Sequence, residues 1–112
     1  MKIVKDKIPV SELQEMSEKM FGGLVKAVID VDQKIMAIDA PMHADQEAVL
    51  IEKGSKQENL WGINLYPEKE GEDFIEFDSM INIRPSFGNR TRGIDDAKIR
   101  KKIIEIVNRF VA

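Results

Sequence analysis

Arginine and asparagine side chains cluster just before the predicted last helix of the chain. The cluster holds Arg84, Asn89, Arg90 and Arg92. Arginine presents a planar fork of donors that suits phosphate or carboxylate, and the free N–H groups at a helix start add further donors. The sequence therefore predicts a site for an anionic ligand here. The residues FGNRTRG lack the glycine spacing of a P-loop or of a dinucleotide-binding fingerprint.

The same arginines have a second interpretation, which is structural. Four acidic side chains lie close to them along the predicted strand and helix start, and these acids could neutralise the arginines in a salt-bridge network. The acids are Glu76, Asp78, Asp95 and Asp96. The sequence alone leaves open whether the cluster is a site or such a network.

A second group of candidate residues lies on one face of the strand that precedes the arginines. Glu76 and Asp78 are two residues apart, so their carboxylates share that face, with Asn82 further along it and Asn64 on the neighbouring strand. Two such carboxylates could hold Mg²⁺ or divide into an acid and a base. His43 is a weak third candidate for the metal, because HADQE lacks the two-histidine spacing of a zinc helix. The alternative is a solvated strand face.

Other kinds of chemistry have little support in the sequence. The chain has no cysteine, and neither Ser79 nor Ser86 lies in a Gly-x-Ser-x-Gly elbow. It contains one Trp and one Tyr, its isoelectric point is about 5.2, and no recognised RNA-binding or DNA-binding motif occurs. From residue 84 onward, eight basic side chains face three acidic ones, whereas the first 83 residues carry nine basic and seventeen acidic ones. Such a split marks either an anion-binding end or a basic helix beside an acidic sheet edge.

Hydrophobic periodicity predicts the elements that must position these residues. Apolar alternation predicts strands at 2–5, 24–31, 34–39, 60–66 and 74–84. A helix of about ten residues starts near Ser11. Residues 42–53 fit a helix with Ala44, Ala48 and Ile51 on its apolar face, although a buried strand is the alternative. The last helix begins with Asp95 as its N-cap, followed by an apolar stripe at Ile99, Ile103, Ile106 and Phe110.

Two strand pairings follow from these elements. A tight turn at Asp32 and Gln33 pairs Ile29 with Met36. Folding 74–84 back on 60–66 pairs Leu65 with Ile75, Ile63 with Phe77 and Trp61 with Ser79 on the core face, because a slip of one residue would expose the apolar side chains. On the other face, Asn64 then opposes Glu76, and Gly62 opposes Asp78. Gly62 would leave a shallow space for a ligand or another backbone.

These elements predict an α+β fold in a single domain spanning 1–112. The sheet is mostly antiparallel with four or five strands, and two or three helices pack mainly on one face. A chain of 112 residues with 43% hydrophobic and 33% charged side chains is typical of one soluble globular domain. No apolar run is long enough to cross a bilayer, so no membrane partner is expected and the predicted location is cytoplasmic.

Two long blocks of the chain resemble a known family. They are MHADQEAVLIEKGSKQENLWGINLYP and EDFIEFDSMINIRPSFGNRTRGIDD. They are similar to a group of small prokaryotic proteins that is classed as a domain of unknown function, and the likeness runs over nearly the whole chain. The resemblance implies a bacterial or archaeal origin. It implies no activity, cofactor or catalytic residue.

Three hypotheses of function remain, and they leave open whether the chain is an enzyme. The first is a binding module for a phosphate- or carboxylate-bearing ligand, such as a phosphorylated small molecule or a nucleic-acid end. It needs no cofactor. The second is a hydrolase of phosphate esters that uses Mg²⁺ at Glu76 and Asp78. The third is a homo-oligomeric or partner-binding protein without a small-molecule site.

Overall fold

The computed structural model describes residues 1–20 and 22–111, in which five strands form one antiparallel sheet with three α-helices packed against it. The strands are β1 (Lys2–Val4), β2 (Val25–Asp30), β3 (Ile35–Ile38), β4 (Leu60–Leu65) and β5 (Ile75–Glu76), and the helices are α1 (Val10–Met20), α2 (His43–Glu52) and α3 (Ala97–Phe110). The order across the sheet is β1-β3-β2-β4-β5. The α+β class is therefore confirmed. No helix among the described residues is long and apolar enough to cross a membrane.

The β2–β3 hairpin has the predicted register, with Ile29 opposite Met36. Its turn contains no glycine, and the buried carboxylate of Asp30 closes it instead. One oxygen of Asp30 accepts from the backbone N–H groups of Asp32 and Gln33, both at 2.9 Å. Such side-chain bonds to the following backbone are the means by which aspartate stabilises turns. Lys34 then takes a positive φ of 57° before β3 begins.

Helices α1 and α3 cover one face of the sheet, which holds the larger hydrophobic core. The predicted α3 stripe is confirmed, because Ile103, Ile106 and Phe110 are buried there and Ile99 packs at the margin. Helix α2 covers the opposite face, where Leu50 packs in a smaller cluster of buried side chains. Two of the three helices thus share one face, in agreement with the predicted arrangement.

Helix α2 is confirmed as a helix, but its predicted buried face is wrong. Ala44, Ala48 and Ile51 are exposed, and the buried side chains are His43, Gln46 and Leu50. The reason is that two polar side chains of α2 bond to backbone carbonyls of the sheet beneath it. The Gln46 amide donates to the carbonyl of Lys26 at 2.7 Å, and His43 bonds to the carbonyl of Ile63. Polar side chains face the sheet because they satisfy these backbone groups.

The predicted strand at 74–84 is mostly wrong. Strand β5 contains only two residues, although its pairs are the predicted ones, with Asn64 opposite Glu76 and Leu65 opposite Ile75. The chain then leaves the sheet and forms short 3₁₀ turns at Met80–Asn82 and Pro85–Phe87. The expected pairs of Phe77, Asp78 and Ser79 with β4 do not form. Ile81 packs beside α2 on the opposite face from Phe77, and Ile83 is exposed.

The departing chain fills the space that was predicted to remain open at Gly62. A Cβ atom added to Gly62 would lie 2.5 Å from the Cβ and Oγ atoms of Ser79, so any larger residue would clash there. The backbone of Gly62 pairs with the side-chain amide of Asn82, which accepts from its N–H at 2.8 Å and donates to its C=O at 2.9 Å. An amide side chain therefore replaces the predicted strand along this part of β4.

Candidate functional site

The segment at 89–93, here called the arginine loop, is held in place by two buried asparagines. The amide nitrogen of Asn89 donates to the carbonyls of Asn82, Thr91 and Gly93 at 2.7, 3.2 and 2.8 Å. Its oxygen accepts from the backbone N–H of Asp95 at 2.8 Å. Asn82 also donates to the carbonyl of Arg92 at 2.9 Å. Both residues were predicted to contact a ligand, and the structure uses their side chains to fix the loop.

The N-cap of α3 differs from the predicted one by one residue. Asp96 is the cap, since its carboxylate accepts from the backbone N–H of Lys98 at 2.8 Å. Asp95 instead accepts from the hydroxyl of Thr91 at 3.1 Å and from the N–H of Arg90 at 3.4 Å. The sequence predicted Asp95 as the N-cap, but its carboxylate bonds to the arginine loop instead. This gives the loop a further anchor at the start of α3.

The backbone of Arg84 pairs with Asn89 at the start of the arginine loop, but its guanidinium group contacts residues near the start of β4. Arg84 is buried, and its guanidinium group donates to the carbonyls of Gln57 and Leu60, both at 2.5 Å. The same group stacks 4.3 Å from the ring centre of Trp61. Burial lowers the pKa of Arg84 from its ordinary value. All of these partners are near the start of β4, whereas Asn64 lies about 13 Å further along that strand at roughly 3.3 Å per residue.

Arg90 and Arg92 are exposed. Arg92 forms an ion pair with Asp78, with 2.6 Å between Nε and Oδ1, and the two side chains are 56% and 41% exposed. Arg90 forms no ion pair with any residue in 1–20 or 22–111. Of the predicted salt-bridge network, the structure thus forms the Arg92–Asp78 pair. An exposed pair of this kind contributes at most about 1 kcal/mol to stability, so Arg92 can exchange Asp78 for another anionic group at little cost.

The predicted acidic face forms a polar cluster beside the arginine loop. Asn64 is buried, and its amide nitrogen donates to Glu76 at 2.9 Å and to the carbonyl of Asp78 at 3.3 Å. The hydroxyl of Tyr66 donates to the same Glu76 oxygen at 2.9 Å. Burial and this bond to Glu76 raise the pKa of Tyr66. The amide oxygens of Asn64 and Gln46 are buried and find no partner among the described residues, which marks a place for ordered water or a ligand's donor.

His43 borders this cluster from α2. Its Nε2 atom lies 2.7 Å from the carbonyl oxygen of Ile63 and must carry the proton that it donates. Burial is the main cause that lowers the His43 pKa, while the bond to Ile63 opposes it. The charges of Lys26 and Arg92 lower that pKa further, and Asp78 raises it. His43 is therefore mostly neutral at pH 7, and its pKa depends on the nearby charges of Arg92 and Asp78.

We expect His43 to titrate below 6.5, its ordinary pKa, and Arg92→Ala to raise its pKa by removing a nearby positive charge. Because the folded pKa is below the unfolded one, the unfolded chain takes up the proton first. The stability contributed by neutral His43 is complete above about pH 6.5 and is lost as the pH falls towards the folded pKa. The chain has one histidine, so its imidazole NMR signals report this titration directly.

The exposed Lys5→Ala variant is the control for this titration, because Lys5 follows β1 at the opposite edge of the sheet from β5. It should leave the His43 pKa unchanged. A midpoint at or above 6.5 in the wild-type chain, or no change in Arg92→Ala, would contradict the coupling.

The candidate metal ligands do not form a complete site. Within residues 1–20 and 22–111, no group of three or more His, Asp or Glu side chains is arranged to hold a metal ion. Glu76 is engaged by Asn64 and Tyr66, and Asp78 is engaged by Arg92. The ring of His43 is directed to the backbone of β4. The metal-dependent hydrolase stays a prediction.

A large groove on the α1–α3 face was not predicted from the sequence. The groove has a volume of about 960 Å³ and lies between the segment at 67–75 and the two helices. Phe74, Ile75, Phe77 and Ile104 contribute to its apolar lining. The sequence feature that could have indicated the groove is Ile104, an apolar residue that lies outside the core stripe of α3. Recognising the groove needed the path of the 67–75 segment, which periodicity does not predict.

The fold and these sites define a small α+β protein whose sheet edge carries a fixed loop with two exposed arginines. The chain belongs to the family described as protein of unknown function (DUF5674), because the family model matches residues 2–110. The resemblance to a domain of unknown function over nearly the whole chain is thus confirmed. Comparisons with curated proteins and with solved structures gave no match.

Proposed function

We propose that this protein is a small binding module for a ligand that carries a phosphate or carboxylate group, bound by Arg90 and Arg92. The observation that carries the proposal is the construction of the arginine loop. Buried Asn82 and Asn89 use their side chains to fix its backbone, while its two arginines stay exposed. A loop held in one conformation loses little entropy when a ligand binds.

The charges beside the loop define how binding would occur. The ligand's anionic group replaces the Asp78 carboxylate at the guanidinium of Arg92, and Arg90 supplies a second fork of donors from the same loop. Asp78 acts as a competitor, which restricts binding to groups that offer two or more acceptor oxygens, as phosphate and carboxylate do. A phosphorylated small molecule or a nucleic-acid end meets this requirement. We also propose a prokaryotic origin, which the resemblance to the small prokaryotic family supports. The proposed cytoplasmic location is supported by the lack of cysteine.

Titration with inorganic phosphate and with pyrophosphate, followed by NMR, tests the proposal. Backbone amide signals of 89–93 should shift in a saturable manner. The pKa of His43 should rise on binding, because an anion at Arg92 favours the imidazolium form. Arg90→Ala and Arg92→Ala should each weaken binding at least tenfold, while the free energy of unfolding changes by less than about 0.5 kcal/mol. Lys5→Ala is the matched control, as an exposed cation at the opposite sheet edge.

Two outcomes would reject the site. One is binding that persists unchanged in both arginine variants. The other is an equal loss of binding in Lys5→Ala, since that result means a diffuse response to net charge. If phosphate and pyrophosphate both leave the 89–93 amides unshifted while benzoate or acetate shifts them, the ligand class narrows to carboxylates.

A further inference from the structure

The groove on the α1–α3 face has an apolar floor and an acidic rim. The floor includes Phe74, Ile75, Phe77 and Ile104. The rim is the exposed segment at 68–72, here called the acidic segment, in which Glu68, Glu70 and Glu72 outnumber Lys69. An apolar groove of about 960 Å³ with one sign of charge on its edge favours an apolar occupant flanked by cations.

The chain itself carries a surface of that description, on α3. Lys98, Lys101, Ile104 and Asn108 follow each other at spacings of three, three and four residues, so they form one stripe along the helix. Their side chains are all exposed, and this stripe runs beside the buried one. Ile104 and Asn108 line the groove, whereas the two lysines precede it along the helix. The stripe therefore presents cations at its first half and borders the groove at its second half.

We propose that the groove is covered by a second copy of this chain, in a two-fold dimer in which the two α3 helices pack antiparallel and cross near Ile104. A two-fold axis exchanges the two halves of the stripe. The Lys98 and Lys101 side chains of each copy then lie over the part of the other copy's groove that adjoins Asn108 and the acidic segment. Lys101 precedes Ile104 by about 4.5 Å and Asn108 follows it by about 6 Å along the axis, so Lys101 of one copy lies close to Asn108 of the other.

The antiparallel arrangement is the one that pairs unlike charges. Parallel helices would place lysines against lysines and acidic segment against acidic segment, which costs free energy. In the two-fold arrangement, each interface contact occurs twice, once in each direction, as in most homodimers. Both complementary surfaces are present on one chain, so the same chain is a sufficient partner. The arginine loop is not part of this surface, and the dimer does not depend on the proposed anion site.

Sedimentation velocity over a range of protein concentrations and salt tests the dimer. We expect the wild-type chain to form a dimer, and we expect this self-association to weaken at high salt. The double variants Glu70→Lys/Glu72→Lys and Lys98→Glu/Lys101→Glu should each weaken self-association at least tenfold, since each sets like charges against each other. An equimolar mixture of the two should form a heterodimer, because both of its charged contacts are again attractive. This recovery cannot arise from variants that merely fail to fold.

A matched pair of apolar substitutions locates the interface. Ile104→Asp should abolish the dimer, whereas Ile51→Asp should not, because Ile51 has a similar exposure of 42% against 39% but lies on α2. A wild-type chain that stays monomeric at all concentrations overturns the proposal. So does a dimer that is insensitive to Ile104→Asp, or a mixture of charge variants that stays monomeric. A monomer whose groove signals shift with a lysine-rich amphipathic peptide assigns the groove to a different partner and also overturns it.

Discussion

Replacing Asn82 by alanine should lower the free energy of unfolding by about 3 kcal/mol or more, which is a large share of the roughly 5–15 kcal/mol that stabilises a domain. Asn82 is fully buried, and its amide makes three bonds, two to the backbone of Gly62 and one to the carbonyl of Arg92. Alanine leaves the N–H and C=O of Gly62 without these partners, at about 1–3 kcal/mol each where water cannot reach them, while the carbonyl of Arg92 still accepts from the backbone N–H of Ser79. Urea unfolding followed by the fluorescence of Trp61, which is buried, measures the loss.

The variant Asn82→Asp removes the two hydrogen-bond donors of this side chain and keeps its acceptor. Aspartate keeps an oxygen for the N–H of Gly62 but sets a carboxylate oxygen against the carbonyls of Gly62 and Arg92. We expect a loss at pH 7 that exceeds the alanine loss and that shrinks towards pH 5, because a protonated carboxyl can donate one bond. Lys5→Ala, at an exposed position after β1, should change stability by less than about 0.5 kcal/mol. A loss below 1 kcal/mol in Asn82→Ala would show that the arginine loop does not depend on this amide.

Asn82 also shows why sequence periodicity failed at the end of β5. The apolar alternation of residues 75–83 has the period of a strand, and the first two pairs with β4 form as predicted. Beyond them, Gly62 has no side chain to pack against a partner strand, and Ser79 packs directly over it. The Asn82 amide then satisfies the Gly62 backbone groups that a strand would have satisfied. Periodicity records which side chains are apolar and does not record that one amide replaces a strand.

Local patterns were sufficient where neighbouring residues decide the structure. The β2–β3 register, the Asn64–Glu76 pair and the α3 stripe depend on alternation or on helical spacing, and each is confirmed. The buried face of α2 depends on what the sheet presents to it, so Ala48 was misassigned and Gln46 was overlooked. The ligand-binding roles of Arg90 and Arg92 stay predictions, and their exposure is what keeps those roles available.

Replacing Arg84 by alanine should lower the free energy of unfolding by about 2–4 kcal/mol. The sequence predicts that Arg84 binds a ligand, whereas in the structure its guanidinium group contacts other parts of the protein. The change removes the donors to the carbonyls of Gln57 and Leu60 and exposes the face of Trp61. The stacking itself contributes about 0.5–2 kcal/mol. Arg84→Lys should recover only part of the loss, because an ammonium group does not offer a planar fork that spans two carbonyls and stacks on a ring.

The comparison with Arg90→Ala and Arg92→Ala decides between a structural and a ligand-binding Arg84. If Arg84 is structural, its alanine variant loses stability and shifts Trp61 emission to longer wavelength, because the buried indole gains contact with water. Phosphate should still shift the 89–93 amides in the fraction that stays folded. If the Arg84→Ala chain were as stable as wild type but did not bind phosphate, Arg84 would be a ligand-binding residue of the anion site. Its contacts near the start of β4 argue against that outcome, since two carbonyls and the ring of Trp61 hold the guanidinium group there.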